Sequence, residues 1–414
     1  MKITIQYFDR KARGIVRMIN LLRFSPIFGG LIFGFGVDSC PGAPASDQSN
    51  SFGVSLLAKL MTSNQGNLVI SPFSLQLALA MVYGGCTGKS AEELARFVGF
   101  ARQTDSQNVL FPGMTLYSNL PQTITLKIAN SLWCDRSTHL RPTFEAKVKD
   151  RFGAEVQSAD LETAGTMKAI NDWVAKATEG KIVDLLQAPP KPPLVLIDAV
   201  YFKGAWEYPF SAAQNFSDQF HRENNGPCDV TMMKRGLSAP YLTTDGFQAV
   251  KLPYNGSALS MVLILPDKET SLAALVRKLT GAWKSSMDDF VETPGTITLP
   301  RFKVTARESL VDPLKALGVE AIFNPSKDFT PMFTDTRNFY VSSILQQAYL
   351  RVDENGSEAA AATEIQMEAT AMRRVAPKPF DLVFDRPFLF AIVDNASRQI
   401  VFIGVLRDPE QAKL

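Results

Sequence analysis

The chain reads as one mixed α+β domain, and three observations carry that reading. Apolar residues recur at helical spacing through much of the first half. The second half holds short apolar or alternating runs bounded by turn residues, the pattern of strands. No linker-like stretch interrupts the chain after residue 50, so helices and strands are expected to share one core. At 414 residues, with 46% hydrophobic and 20% charged content, the chain can bury such a core.

The first helix is expected over Asn50 to Met61. The next begins sharply, because Ser71 is a capping residue and Pro72 sits at the first helical position, where its missing N–H costs nothing. It runs to Tyr83 and closes at Gly84 and Gly85. Ala91 to Val98 continues the helical pattern, and Thr123 to Cys134 alternates like a strand. Pro142 to Phe152 and Ala164 to Thr178 read as helices, the second closing at Gly180. Strands follow at Leu194 to Phe202, Phe247 to Leu252, Leu259 to Leu265, Ile297 to Val304, Phe339 to Val352, Phe380 to Val383, Phe388 to Val393 and Ile400 to Leu406. Helices at Leu272 to Leu279 and Pro313 to Leu317 interrupt them.

A net charge of +2 leaves no strong footprint for nucleic acid or a membrane surface. The excess sits in residues 1–39, where six basic residues face only Asp9 and Asp38. An apolar run from Phe24 to Val37 follows, too short to span a bilayer but suited to an export signal. Residues 1–45 are therefore read as a targeting segment and tail, 46–414 as the domain, and the location as extracytoplasmic, secreted or periplasmic. Met18 is an alternative start. Val37 to Cys40 partly resembles a bacterial lipoprotein cleavage site, so an exported protein of bacterial type is expected, and lipidation of Cys40 with a lipid tether competes with cleavage after Ala45. The four cysteines are widely spaced and lack metal-ligand spacing; Cys86 and Cys134 fall in apolar patterns and Cys228 in a polar loop.

Enzyme chemistry finds no support. The two histidines, His139 and His221, lie in polar surroundings without a nucleophile motif nearby. Thr87 to Ser90 imitates a phosphate loop, but Tyr83 stands where that loop needs glycine, and a helix rather than a strand precedes it. No cofactor or metal is implied.

The segment from Glu354 is the most informative. It opens as a charged turn at Gly356 and then alternates: Ser357, Ala359, Ala361, Thr363, Ile365 and Met367 are small or apolar, with Glu358, Glu364, Gln366 and Glu368 between them. Period-two alternation fits a strand with one buried face, and the four alanines Ala359 to Ala362 also fit a turn of helix. The segment then ends in Ala371 to Pro379, which reads as an exposed loop. A stretch patterned as a strand but placed as a loop suggests a conformational switch.

The chain resembles the serpins, a family of protease inhibitors, from about Asn50 to Pro409. The matches are collinear: Asn67 to Ser74, Ala129 to Trp133, Phe152 to Glu155, Ile170 to Val174 with Thr178 to Ile182, Ala199 to Trp206, Leu252 to Tyr254, Ser260 to Pro266, Leu299 to Phe302, Leu317 to Val319, the hinge from Glu354, Asp385 to Phe390, and Phe402 to Val405. The resemblance implies three β-sheets, eight to nine helices, an exposed reactive-centre loop, and a monomer. It implies a suicide mechanism in which a serine protease cleaves the loop, is held as an acyl-enzyme, and is dragged away as the loop enters the main sheet. The hinge is Glu354, Gly356, Ser357, Glu358, Ala359, Ala360, Ala361, Ala362 and Thr363. Family spacing puts the scissile bond at Thr370–Ala371, suited to elastase-like or subtilisin-like enzymes; Arg373 and Arg374 keep a trypsin-like reading open, and papain-like targets and non-inhibitory carrier, storage or chaperone-like roles are the alternatives. Ser71 and Ser74 match the shutter serines, and Asp198 and Gln346 stand where the family usually has Asn and His. Trp206, Arg301 and Glu354 match the breach. The helix-D region lacks a basic cluster, so no heparin-type activator is implied.

Overall fold

The structure is a computed structural model that describes residues 45–97, 120–357 and 378–409. Among these are eight α-helices: α1 (Ala45–Ser63), α2 (Pro72–Tyr83), α3 (Gly88–Phe97), α4 (Pro142–Phe152), α5 (Ala164–Ala177), α6 (Leu272–Leu279), α7 (Trp283–Ser286) and α8 (Val311–Ala316). The strands of the first half are β1 (Leu68–Ile70), β2 (Ile124–Asp135), β3 (Glu155–Ala159) and β4 (Leu194–Ala205). Then come β5 (Phe216–His221), β6 (Pro227–Thr244), β7 (Phe247–Pro253), β8 (Leu259–Pro266), β9 (Val291–Pro300) and β10 (Phe302–Ser309). The last are β11 (Ser343–Val352), β12 (Gly356–Ser357), β13 (Phe380–Val383), β14 (Phe388–Asp394) and β15 (Ile400–Leu406).

β4 organises the molecule because both of its faces are buried. Leu194, Leu196, Val200 and Phe202 enter the main core, while Val195, Ile197 and Ala199 pack with Ile170 and Val174 of α5. A strand covered on both sides reads as a continuous apolar run, which is how this one appears in the sequence. It lies in a sheet ordered β10-β11-β4-β2-β3, with β12 added on β4. β11 is covered less completely, and its burial alternates strictly, with Ile344, Gln346, Ala348, Leu350 and Val352 inward. α2 is buried along its whole length beneath this sheet, and its Ser71 cap accepts from the Ser74 N–H as the sequence implies.

A nine-stranded sheet completes the fold, ordered β1-β15-β14-β8-β7-β6-β9-β13 with β5 on β6. The 18-residue β6 pairs with β9 along much of its length and with β7 at its end, so the second and third expected sheets run into one another through a shared strand.

Several boundaries differ from expectation. The run Ile297 to Val304 is two strands, β9 and β10, separated by Arg301. Residues 339–342 precede β11 rather than belonging to it; Phe339 forms an isolated bridge to Ser326 instead. β5 and β6 were not expected, because their mostly exposed or half-exposed residues give no strong apolar run. Cys228 lies in β6, half-buried rather than in a loop, and Cys86 and Cys134 are buried thiols whose ionisation burial disfavours. Among the described residues no helix is long and apolar enough to cross a membrane, and no cluster of ligating side chains could hold a metal ion.

Candidate functional site

The site is the seam between β4 and β11. These strands pair in parallel from Ser343 opposite Val195 to Tyr349 opposite Tyr201. Beyond that point β4 runs on to Ala205 and pairs instead with β12, Gly356 opposite Ala205 and Ser357 opposite Gly204. The sheet is therefore closed along most of the seam and parted at one end, where the chain turns back from β11 and enters the gap.

That turn needs glycine. Gly356 has φ +143°, and a Cβ there would meet the Gly204 carbonyl oxygen at 2.2 Å and the Ala205 Cα at 2.8 Å. Ser357 follows, fully buried, with its Oγ 2.7 Å from the Tyr254 hydroxyl. Tyr254 stacks on Trp206 with ring centroids 4.7 Å apart. Trp206 holds the turn itself: its indole N–H donates to the Asp353 carbonyl at 3.0 Å and its backbone N–H to the Asn355 carbonyl at 2.9 Å. The Phe210 N–H donates to the Glu354 carbonyl. The Glu354 carboxylate accepts from Arg301 Nε and from Asn215 Nδ2, each at 2.5 Å. Trp206, Arg301 and Glu354 thus lie together at the parted end.

Ser71, Ser74, Asp198 and Gln346 meet halfway down the closed part of the seam. Asp198 and Gln346 are opposite one another in register, both buried, and the Gln346 amide N–H donates to Asp198 Oδ2 at 2.6 Å. The Ser74 hydroxyl donates to Asp198 Oδ1 at 2.5 Å. Ser71 orients Gln346: its backbone N–H donates to Gln346 Oε1 at 2.9 Å, and its carbonyl accepts from Nε2 at 3.0 Å. Only an N–H can face Asp198 in that arrangement. The Ser71 hydroxyl donates to the Val401 carbonyl, joining the cluster to β15. Burial raises the Asp198 carboxyl to about 7, and its two hydrogen bonds oppose the rise.

Sequence reasoning missed Tyr254, Asn215 and Asn130. Asn130 faces Asp198 from β2 and donates to the Ser74 carbonyl at 3.2 Å. Tyr254 falls in a recognised motif, but nothing local marks it as the contact of a residue 103 positions later. Glu358, Ala359, Ala360, Ala361, Ala362, Thr363, Thr370, Ala371 and Cys40 lie outside the described residues.

The chain with this parted sheet, its Gly356 turn in the gap and its buried polar cluster, matches a known family. The family model described as "Serpin (serine protease inhibitor)" matches residues 47–409, and the chain belongs to the serpin family. It is 32% identical to "Iripin-8" of Ixodes ricinus over 86% of this chain and 91% of that protein. It is 32% identical to "Leukocyte elastase inhibitor" of Sus scrofa over 88% of this chain and 99% of that protein. The crystal structure of Serpin48 from the insect Tenebrio molitor superposes with a TM-score of 0.78 at 25% identity, over 88% of this chain and 98% of that one. None of these three is bacterial, so the expected bacterial type finds no support among them.

Proposed function

We propose that this protein is an irreversible inhibitor of serine proteases with shallow specificity pockets, elastase-like or subtilisin-like. The protease attacks the Thr370–Ala371 bond, the serine ester forms as the Ala371 amine leaves, and the freed segment enters the seam between β4 and β11 before water releases the enzyme. Glu354 to Thr363 serve as the hinge, Trp206, Arg301 and Glu354 as the point of entry, and Ser71, Ser74, Asp198 and Gln346 as the shutter below it. The monomer acts alone, its partner being the protease, held covalently.

One observation carries this reading: the first two rungs of the incoming strand are already made. Gly356–Ser357 pair antiparallel with Gly204–Ala205, and Ser357 points into the core. Continuing that register, Ala359 meets Phe202, Ala361 meets Val200, Thr363 meets Asp198, Ile365 meets Leu196 and Met367 meets Leu194. All five partners are buried. Small residues lead the insertion, Ala359 coming opposite Phe202 and Ala361 opposite Val200, and the Thr363 hydroxyl comes opposite the carboxyl. The alternating glutamates keep to the other face.

The name of one relative, an elastase inhibitor, favours the same target class. Residues 1–45 would direct the domain out of the cytoplasm, with Cys40 available for a lipid tether; acyl labelling and fractionation of the expressed full chain test both. The function is tested by mixing the protein with pancreatic elastase, subtilisin and trypsin. An SDS-stable complex with elastase or subtilisin, and a new terminus at Ala371, is expected. Cleavage without a complex would make the protein a substrate, and a cut after Arg373 would move the specificity to trypsin-like enzymes.

A further inference from the structure

We propose that Asp198 is a pH-set latch on the β4–β11 seam: protonated, it holds the strands together, and on ionising it lets them part. This rests on the strand-insertion reading above and assigns its regulation.

The geometry places the carboxyl where opening must break it. Asp198 and Gln346 bridge the seam side chain to side chain beneath their own rung of the ladder. A strand inserted between β4 and β11 doubles their separation to roughly 9–10 Å, so the bridge cannot survive insertion. The donor side of the bridge cannot rearrange to spare it, because Ser71 occupies the remaining positions of the Gln346 amide.

The neutral acid suits this pocket. With a proton on Oδ1, the Ser74 contact reverses so that Asp198 donates to Ser74 Oγ, while Oδ2 still accepts from Gln346. Among the described residues the ionised form meets no cation. Gln346 on β11 and Ser74 on α2 bond it, and Asn130 on β2 lies opposite it in the ladder; Ser71, the cap of α2, and Val401 on β15 join the cluster through Gln346 and the Ser71 hydroxyl, and Asp198 is the titratable group of the cluster among the described residues. Burial without a countercharge keeps the proton on up to a pH of about 7.

The direction of the effect follows. The closed seam binds the proton below about pH 7, whereas a carboxyl reached by water as the strands part releases it to solvent down to about pH 4. Opening therefore releases a proton, and it becomes easier as pH rises through that window and levels off above it. Opening is expected to be about tenfold slower at pH 6 than at pH 8.

The test uses intact protein and a synthetic peptide with the sequence of Gly356 to Met367, whose incorporation into the seam is followed by native gel between pH 5.5 and 8.5. The wild type is expected to take up peptide about tenfold faster at pH 8 than at pH 6, and Asp198→Asn at a rate independent of pH. A flat wild-type profile, or an unchanged profile in Asp198→Asn, overturns the latch while leaving strand insertion standing. No incorporation by either protein at any pH overturns strand insertion and the latch with it. Should the variant fail to fold, infrared titration of the wild type decides: a protonated-carboxyl band lost with a midpoint near pH 7 supports the latch, and its absence overturns it.

Discussion

The parted end and the middle of one seam are held by different chemistry. At the parted end, Ser357 hydrogen-bonds to Tyr254, which stacks on Trp206, and backbone bonds and a partly exposed Arg301–Glu354 pair fix the turn. In the closed middle, a fully buried carboxyl bridges the strands through a single amide. The upper contacts include two rungs of strand pairing, and they already resemble what insertion would extend. The middle contacts are polar and must be dismantled. Under the proposed function, the upper end sets where the loop enters and the middle sets when the sheet yields.

Substitutions separate these roles. The largest effect is expected from Ala361→Glu, which would bring a carboxylate against buried Val200 as the strand enters. Burying an unpaired charge costs several kcal/mol, so the variant should be cleaved by elastase without forming the SDS-stable complex. A complex at the wild-type level would contradict the assigned register. Ser74→Ala comes next, because it removes a donor from a buried carboxyl. We expect a loss of about 1–3 kcal/mol, read by urea denaturation. The loss should grow as pH rises through about 7, since a buried carboxylate left without a donor costs more than a neutral acid left without an acceptor. Wild-type stability carries the same sign: a raised folded-state pKa gives a contribution fully present below the unfolded value and lost as pH climbs through the folded one.

Gly356→Ala probes the upper end. Its Cβ would collide with Gly204 and Ala205 backbone atoms, so Ser357 should leave Tyr254 at a cost of about 1–3 kcal/mol. Faster hydrogen exchange at residues 356–357 would report the release, and unchanged exchange would contradict the docked hinge. The smallest effect is expected from Arg301→Ala. The arginine side chain is 35% exposed, so the loss should be about 1 kcal/mol or less, and reduced further by salt.

How much the sequence disclosed follows from how local each signal is. The Ser71–Pro72 cap, the alternation of β11 and the apolar run of β4 each reside in neighbouring residues, and they were legible. β6 was not, because a strand with exposed faces and an internal Gly236 and Pro240 carries no apolar signature. The division of one apolar run into two strands at Arg301 was missed although Pro300, the last residue of β9, is a strand-ending residue; the change of sheet that follows it is not a local signal. The candidate site was legible only through resemblance. Asp198 and Gln346 are 148 residues apart, and Tyr254 and Ser357 are 103 apart. No spacing rule joins such pairs; parallel pairing of two strands brings the first together, and the turn at Gly356 brings the second.

The most direct measurement compares the melting temperature of intact protein with that of protein cleaved at Thr370–Ala371. Filling the seam adds a full ladder of hydrogen bonds, each worth about 1 kcal/mol, and the cleaved form should melt higher by about 10 °C or more. Equal melting temperatures would mean that the nicked segment stays outside the sheet, and the account would fail.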